Sequence, residues 1–142
     1  MAVESEKTIK VKIQTIKKQE GQIETYQEEL IGSFAQVANN AYIRYQEQDG
    51  SRVTMRVSQE NEVQLSRSND DLRLRMVFLD DKEVQNAYRT PYGVIPLTTN
   101  TSRLDVIIDD EEVKGEFKID YMLSSGENMV GEYKIRLQFS AI

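Results

Sequence analysis

Apolar and polar residues alternate with a period of two along almost the whole chain. Ile9, Val11 and Ile13 are separated by Lys10 and Lys12, and Ala41, Ile43 and Tyr45 by Tyr42 and Arg44. Val53, Met55 and Val57 alternate with Thr54 and Arg56, and Val63 and Leu65 with Glu62, Gln64 and Ser66. Leu72, Leu74, Met76 and Phe78 share one parity with Arg73 and Arg75 opposite; Tyr133, Ile135, Leu137 and Phe139 repeat the pattern around Lys134, Arg136 and Gln138. Successive side chains of a strand point to opposite faces, so each run buries one face and wets the other. Helical spacing of comparable clarity is missing. The chain therefore reads as all-β, with at most one short helix.

Turn residues separate the runs: Asp49-Gly50, Glu60-Asn61, Asn69-Asp70-Asp71, Asp80-Asp81, Asp109-Asp110-Glu111-Glu112 and Gly126-Glu127-Asn128. Asp-Gly suits a type I′ turn, in which both central residues take positive φ. Short strands joined this way form an antiparallel meander. A sheet of eight or more such strands, each with one apolar face, must stack in two layers or close, and closure removes the exposed edges. The expected fold is a single antiparallel meander β-barrel of about 8–10 strands. Two stretches are less regular. In residues 17–37, Tyr26, Leu30, Gly32 and Phe34 share a parity, which predicts a strand from about Thr25. In residues 83–96, Pro91 cannot donate to a ladder and Gly93 can take positive φ, so a corner or bulge interrupts the strand there.

At 142 residues the chain fits one domain, 1–142, with 1–7 expected as a flexible tail. It contains neither cysteine nor histidine. That removes disulfides, thiolate metal sites, the commonest general base and every His-containing triad. The net charge is −6, a poor balance for neutralising phosphates, so no nucleic-acid partner is expected. Residues 1–18 are the exception: five lysines against Glu4 and Glu6 give +3 there and leave −9 on the rest. Such a basic strand either meets an anionic partner or forms a solvated edge face that discourages aggregation. The N-terminus has no apolar signal-like stretch, and the longest aliphatic runs, such as Met76-Val77-Phe78-Leu79, fall far short of a membrane span. A cytoplasmic protein without a membrane partner is the expectation.

The order of elements resembles the YwiB-like family of small bacterial β-barrel proteins. The residues that carry the likeness are Leu65-Ser66-Arg67-Ser68, Leu74-Arg75-Met76-Val77-Phe78, the corner Tyr88-Arg89-Thr90-Pro91-Tyr92-Gly93, Thr101-Ser102-Arg103-Leu104-Asp105-Val106 and Ile119-Asp120-Tyr121-Met122-Leu123. It spans about residues 8–140, and the Thr-Pro-Tyr-Gly corner is its most specific piece. One departure is Asn69-Asp70-Asp71, where a glycine is expected after the Arg67 strand end; Asn tolerates positive φ, so the turn is rebuilt. The resemblance implies a calycin-type, lipocalin-like barrel. It implies no activity, and fold alone settles none.

Candidate site residues follow from parity. Arg67 shares the inner parity of Val63 and Leu65, and Glu47 that of Ala41, Ile43 and Tyr45. An inward Arg keeps its charge and needs a partner. Arg67 then either receives a ligand carboxylate or phosphate or forms a structural ion pair, with Glu47 as the nearest inward carboxylate. Tyr45, Tyr121 and Tyr133 share inner parity too, as ligand-facing hydroxyls or as core filling. Tyr88, Thr90 and Tyr92 in the corner either bind or simply close the barrel. Asp109-Asp110-Glu111-Glu112 lacks the spacing of a calcium loop and reads as a charged hairpin tip, so no metal is expected. Glu47 is the one carboxylate placed inward by parity, the glycines are scattered and no cofactor motif is present, which makes the chain a non-enzyme on this reading. Two functions remain open. One is a small barrel holding an amphipathic or anionic ligand, its head group on Arg67 and its tail along Leu65, Met76 and Phe117. The other is a filled barrel serving as an interaction or structural module, including as a homodimer.

Overall fold

The computed structural model describes residues 6–142, which form ten strands and no helix. They are β1 (Lys7–Gln19), β2 (Gln22–Val37), β3 (Asn40–Gln46), β4 (Arg52–Val57) and β5 (Glu62–Ser68), followed by β6 (Arg73–Leu79), β7 (Lys82–Thr90), β8 (Gly93–Asp109), β9 (Lys114–Ser125) and β10 (Asn128–Ala141). Every strand pairs antiparallel with its sequence neighbour, and β10 returns to β1, so the meander closes. Two residues of the expected 1–7 tail are placed on the barrel. β1 already includes Lys7, and the Glu6 carboxylate lies 3.5 Å from Arg44; residues 1–5 lie outside the described residues.

Parity sorts the side chains as the alternation requires. Met76 and Phe78 are buried while Arg73 and Arg75 on the same strand are exposed. Charged residues line the outside and apolar ones the lumen, the reverse of a barrel that faces lipid. Among the described residues no helix is long and apolar enough to cross a membrane. β1 lies between β2 and β10, so its lysines do not guard an edge; Lys10 and Lys12 point outward, toward Glu29 at 3.9 and 3.4 Å.

The lumen is packed solid at the end that holds the β2–β3, β4–β5, β6–β7 and β8–β9 turns. Phe34 and Phe139 stack there with ring centroids 5.3 Å apart, and Ile9, Val11, Ile43, Met55, Val63, Phe117 and Leu137 are fully buried. Gly115 makes room for Phe139, since a Cβ would sit 2.4 Å from that ring. Val113, at φ 55°, is a β-branched residue in the left-handed region; its buried side chain holds it there.

The barrel wall has a weak seam between β6 and β7. β6 and β7 pair only through Arg73↔Arg89 and Leu74↔Tyr88. Beyond that, side chains replace the ladder: the Val77 N–H donates to Asn86 Oδ1 at 3.0 Å, and the Thr99 hydroxyl donates to the Val77 carbonyl at 2.8 Å. Asn86 Nδ2 in turn donates to Leu97 O at 3.3 Å. These bonds satisfy backbone groups that the diverging strands would otherwise leave buried and unpaired.

Four local readings change. Residues 17–37 are the end of β1 and a strand that starts at Gln22, three residues before Thr25, because Glu20 and Gly21 make a tight turn. Residues 88–93 do not interrupt a strand. Pro91 and Tyr92 are the tip of the β7–β8 hairpin, and β8 runs on through the 104–108 run to Asp109. Asp49-Gly50 does turn the chain, but only Gly50 takes positive φ, in a three-residue loop rather than a type I′ turn. The Asn69 turn is rebuilt differently from the expectation: its side-chain oxygen accepts the Asp71 and Leu72 N–H groups, both at 3.0 Å, with no positive φ.

Candidate functional site

The other end of the lumen, where the β1–β2, β3–β4 and β5–β6 turns lie, is open. It holds a cup of about 740 Å³. Val53, Leu65, Met76 and Ile135 form its apolar floor, and Tyr45, Tyr121, Tyr133, Arg67, Glu47 and Lys17 stand above them. Two smaller hollows of about 370 and 500 Å³ involve the outward lysines and glutamines of β1 and β10. Ligand sites for small molecules run from roughly 300 to 1,000 Å³ and are mostly apolar with a few convergent polar groups; the cup fits this, is the largest of the three and lies inside the mouth of the lumen.

Gly32 helps to open it. A Cβ on Gly32 would meet the Arg44 carbonyl oxygen at 2.3 Å, so only glycine allows β2 and β3 to approach this closely. From there β3 leaves β2, whose ladder with it begins at Gly32↔Tyr45. The three-residue β3–β4 loop then brings Glu47 to the rim. Its N–H donates to Ser51 O at 2.8 Å, and the Ser51 N–H donates to Asp49 Oδ1 at 2.8 Å. Hydrogen bonding from Ser51 holds the Asp49 carboxyl below the usual carboxylate range.

Arg67 and Glu47, both expected inside, meet at the rim as a charge-assisted pair, the Arg67 Nε donating to Glu47 Oε1 at 2.7 Å. The pair is lopsided: the Arg67 side chain is 47% exposed and that of Glu47 15%. Loss of water pushes the Glu47 carboxyl above its ordinary range, and this outweighs the neighbouring guanidinium; the Glu28 and Asp49 charges push the same way. Burial also raises the Tyr45 and Tyr121 phenols, so both remain protonated donors. Among the described residues neither hydroxyl has a hydrogen-bond partner, although Tyr45 is 5% and Tyr121 7% exposed. Tyr121 stacks on Tyr133 at 5.1 Å and leans on Phe78 at 4.7 Å, while the Lys17 ammonium lies 6.0 Å from the centre of the Tyr133 ring.

The structure thus brings together Arg67, Glu47, Tyr45 and Tyr121. It leaves Tyr88, Thr90 and Tyr92 out of the cup. Tyr88 packs half-buried against the core beside Leu74, and Thr90 closes its own hairpin by donating to Gly93 O at 2.9 Å. Tyr92 is 99% exposed at the tip. Phe117, expected along a ligand tail, belongs to the packed end instead. Asp109-Asp110-Glu111-Glu112 is a hairpin tip in which Asp109 Oδ1 accepts two backbone N–H groups, both at 3.1 Å. Among the described residues no acidic cluster is placed to hold a metal.

Lys17 and Glu28 also line the cup, and Glu47 is therefore not the only inward carboxylate. Their parity is written in the sequence, since Lys17 follows Ile13 and Thr15, and Glu28 lies between Tyr26 and Leu30. Seeing it required the register of 17–37, which Ile13↔Glu28 and Lys17↔Glu24 supply.

A family model described as a domain of unknown function, DUF1934, matches residues 9–137. The solved structure of the ywiB protein from Bacillus subtilis aligns with a TM-score of 0.84 over 99% of this chain and 96% of that one, at 22% sequence identity. At that identity the likeness establishes the shared barrel. No curated protein matches the chain.

Proposed function

The chain belongs to the DUF1934 family, a domain of unknown function, and within it we propose that this barrel is a small-molecule binding module whose site is the cup. The observation that carries the reading is the cup itself, about 740 Å³ at the open end of the lumen, onto which the otherwise buried Tyr45 and Tyr121 bring their hydroxyls. Among the described residues neither hydroxyl has a protein partner, which leaves both to solvent or to a ligand in the cup. Arg67 adds a guanidinium beside them and Lys17 an ammonium, while Val53, Leu65, Met76 and Ile135 offer an apolar floor. The ligand class that uses all of these is amphipathic, with an acceptor-rich or anionic head and an apolar body.

Glu47 is the internal competitor for Arg67. An anionic head displaces it, and a carboxyl already disfavoured as an anion by burial takes up a proton or turns out to solvent. The reading is one of binding without chemistry, because the inward carboxylates are engaged: Glu47 by Arg67 and Glu28 by the Gln48 N–H at 3.3 Å. A filled barrel acting through its surface describes only the packed end.

Native mass spectrometry of protein from its own host, with a thermal-shift screen of fatty acids and isoprenoid phosphates, tests this. Arg67→Met should weaken a bound anion about ten- to a hundredfold, the loss of one charge-assisted bond. The folded barrel should persist, because the guanidinium is half exposed. A wild type that binds none of these anions, with an Arg67→Met protein that melts far lower, would make the pair purely structural.

A further inference from the structure

The β1–β2 turn decides which way the backbone of β2 points. Glu20 and Gly21 take φ 51° and 78°, both left-handed, and Gln19↔Gln22 closes the two-residue turn as a hydrogen-bonded pair. Bonding direction alternates along an antiparallel strand, so even-numbered residues of β2 bond to β1 and odd-numbered ones face the other side. On that side β3 provides partners only from Gly32 to Val37. Ile23, Thr25, Gln27 and Glu29 consequently aim their N–H and C=O groups where no strand of the described residues lies. The contact reaching this stretch from the β3–β4 loop goes to a side chain, Glu28, and leaves the backbone of β2 free.

Natural sheets protect such an edge with charged side chains, proline, a bulge, brevity or cover. Residues 22–31 have neither proline nor bulge and carry charge of one sign alone. They expose Ile23 (67%) and Ile31 (62%) on the outer face and Tyr26 (55%) on the inner one. Their charge is one-sided: Glu20, Glu24, Glu28 and Glu29 fall between 20 and 31 with no lysine or arginine, and Asp49 and Glu47 lie across the gap. Glu29 is shared with Lys10 and Lys12; on the cup side Glu24 accepts the Tyr26 hydroxyl and Glu28 the Gln48 N–H, and among the described residues neither carboxylate is ion-paired.

We propose that this edge of β2 is a docking site for an extended, basic segment of a partner protein, which adds to the barrel as a further strand along the rim of the cup. Backbone hydrogen bonds to Ile23, Thr25, Gln27 and Glu29 supply the register, as in strand addition generally. Alternation in the guest strand then gives selectivity. Its inward side chains meet Glu24, Glu28 and the Tyr26 ring and should be Lys or Arg; its outward ones lie beside Ile23 and Ile31 and should be aliphatic. A second copy of this chain is the disfavoured guest, because paired about Tyr26 it sets Glu24 opposite Glu28 twice over.

The test uses the whole chain and fluorescence anisotropy with a short labelled peptide of alternating Lys and Val. A Glu–Val peptide and a Lys–Val peptide N-methylated on one edge serve as comparisons. The Lys–Val peptide should bind, weaken as salt rises, and exceed both comparisons by about tenfold or more. Thr25→Pro removes an N–H that β1 does not use, which an edge strand tolerates, so the barrel should keep its circular dichroism and lose the peptide. Should that variant fail to fold, Glu24→Lys with Glu28→Lys is the second arm, and it should transfer preference to the Glu–Val peptide. Equal binding of the two charge types, full binding by a folded Thr25→Pro protein, or no Lys–Val binding would overturn the proposal. So would a wild-type dimer that Thr25→Pro makes monomeric, since a second copy would then occupy the edge.

Discussion

The packed end and the cup are built from the same alternation on the same strands, yet one is a solid core and the other a vessel. On β6 the contrast spans five residues: Phe78 is fully buried, Met76 nearly so, and Leu74 half-buried at the cup wall. On β10, Phe139 and Leu137 are buried, while Tyr133 stands at the rim. Size explains part of the difference, since Phe34, Phe117 and Phe139 converge on one end. Pairing explains the rest. At the packed end β2 is hydrogen-bonded on both sides, whereas at the cup β3 has left it and no residue from a facing strand fills the lumen. Inward parity therefore does not by itself mean burial: Phe78 is buried beside the sparse β6–β7 ladder, whereas Tyr26 on the unpaired stretch of β2 is 55% exposed.

The largest test of this contrast removes bulk from each end. Phe78→Ala should cost about 3–5 kcal/mol in a denaturant titration, since a closely packed site cannot collapse around the void. Leu74→Ala, which already borders open space, should cost about 1 kcal/mol. Similar losses would mean that the cup is packed in solution as tightly as the floor.

A medium-sized effect is expected in the wall, where two buried threonines on β8 differ in one respect. Thr99 donates to Val77 O at 2.8 Å, whereas the Thr101 hydroxyl is buried without a partner. Thr99→Val should destabilise by about 1–3 kcal/mol, because it strands acceptors at the β6–β7 seam. Thr101→Val, at nearly constant shape, should be neutral or stabilising. Thermal unfolding of the two variants side by side checks the sign of each.

The smallest effect lies at the rim and depends on pH. Burial raises the folded-state pKa of Glu47 above the ordinary range of a glutamate carboxyl. Between the unfolded and folded values the native state binds more protons, so this group makes the barrel more stable as pH falls and less stable as pH rises through that window. Glu47→Gln should remove that slope and change stability at neutral pH by no more than about 1 kcal/mol, since Arg67 is free to be hydrated. Asp49, held low, acts in the opposite direction, so the difference between wild-type and variant profiles isolates Glu47. A difference that is flat across pH 4–7 would show that the carboxylate is not desolvated.

Much of the barrel was legible residue by residue. Parity placed Arg67, Tyr45, Tyr121 and Glu47 inside before any coordinate, and it put Met76 and Phe78 opposite Arg73 and Arg75. It failed where the backbone register rested on a turn type. Glu20-Gly21 has no Asn-Gly or Asp-Gly signature, so the frame that turns Lys17 and Glu28 inward was hidden. The corner at 88–93 misled for a related reason. Pro91 at a hairpin tip and Pro91 at a mid-strand bulge give the same local pattern, and only the pairing of Thr90 with Gly93 separates them.

The sequence by itself determined the class of fold, the inner and outer faces of nearly every strand, and the chemistry available at the rim, because side-chain direction in a strand is a local property with a period of two. Tertiary structure alone decided that the strands of the closed barrel number ten, that the lumen is full at one end and hollow at the other, and that β2 keeps an open edge among the described residues. Those outcomes depend on which strands end where relative to one another. A void is the difference between the space enclosed by the whole ring and the summed volume of the side chains that enter it, and no single segment carries that difference.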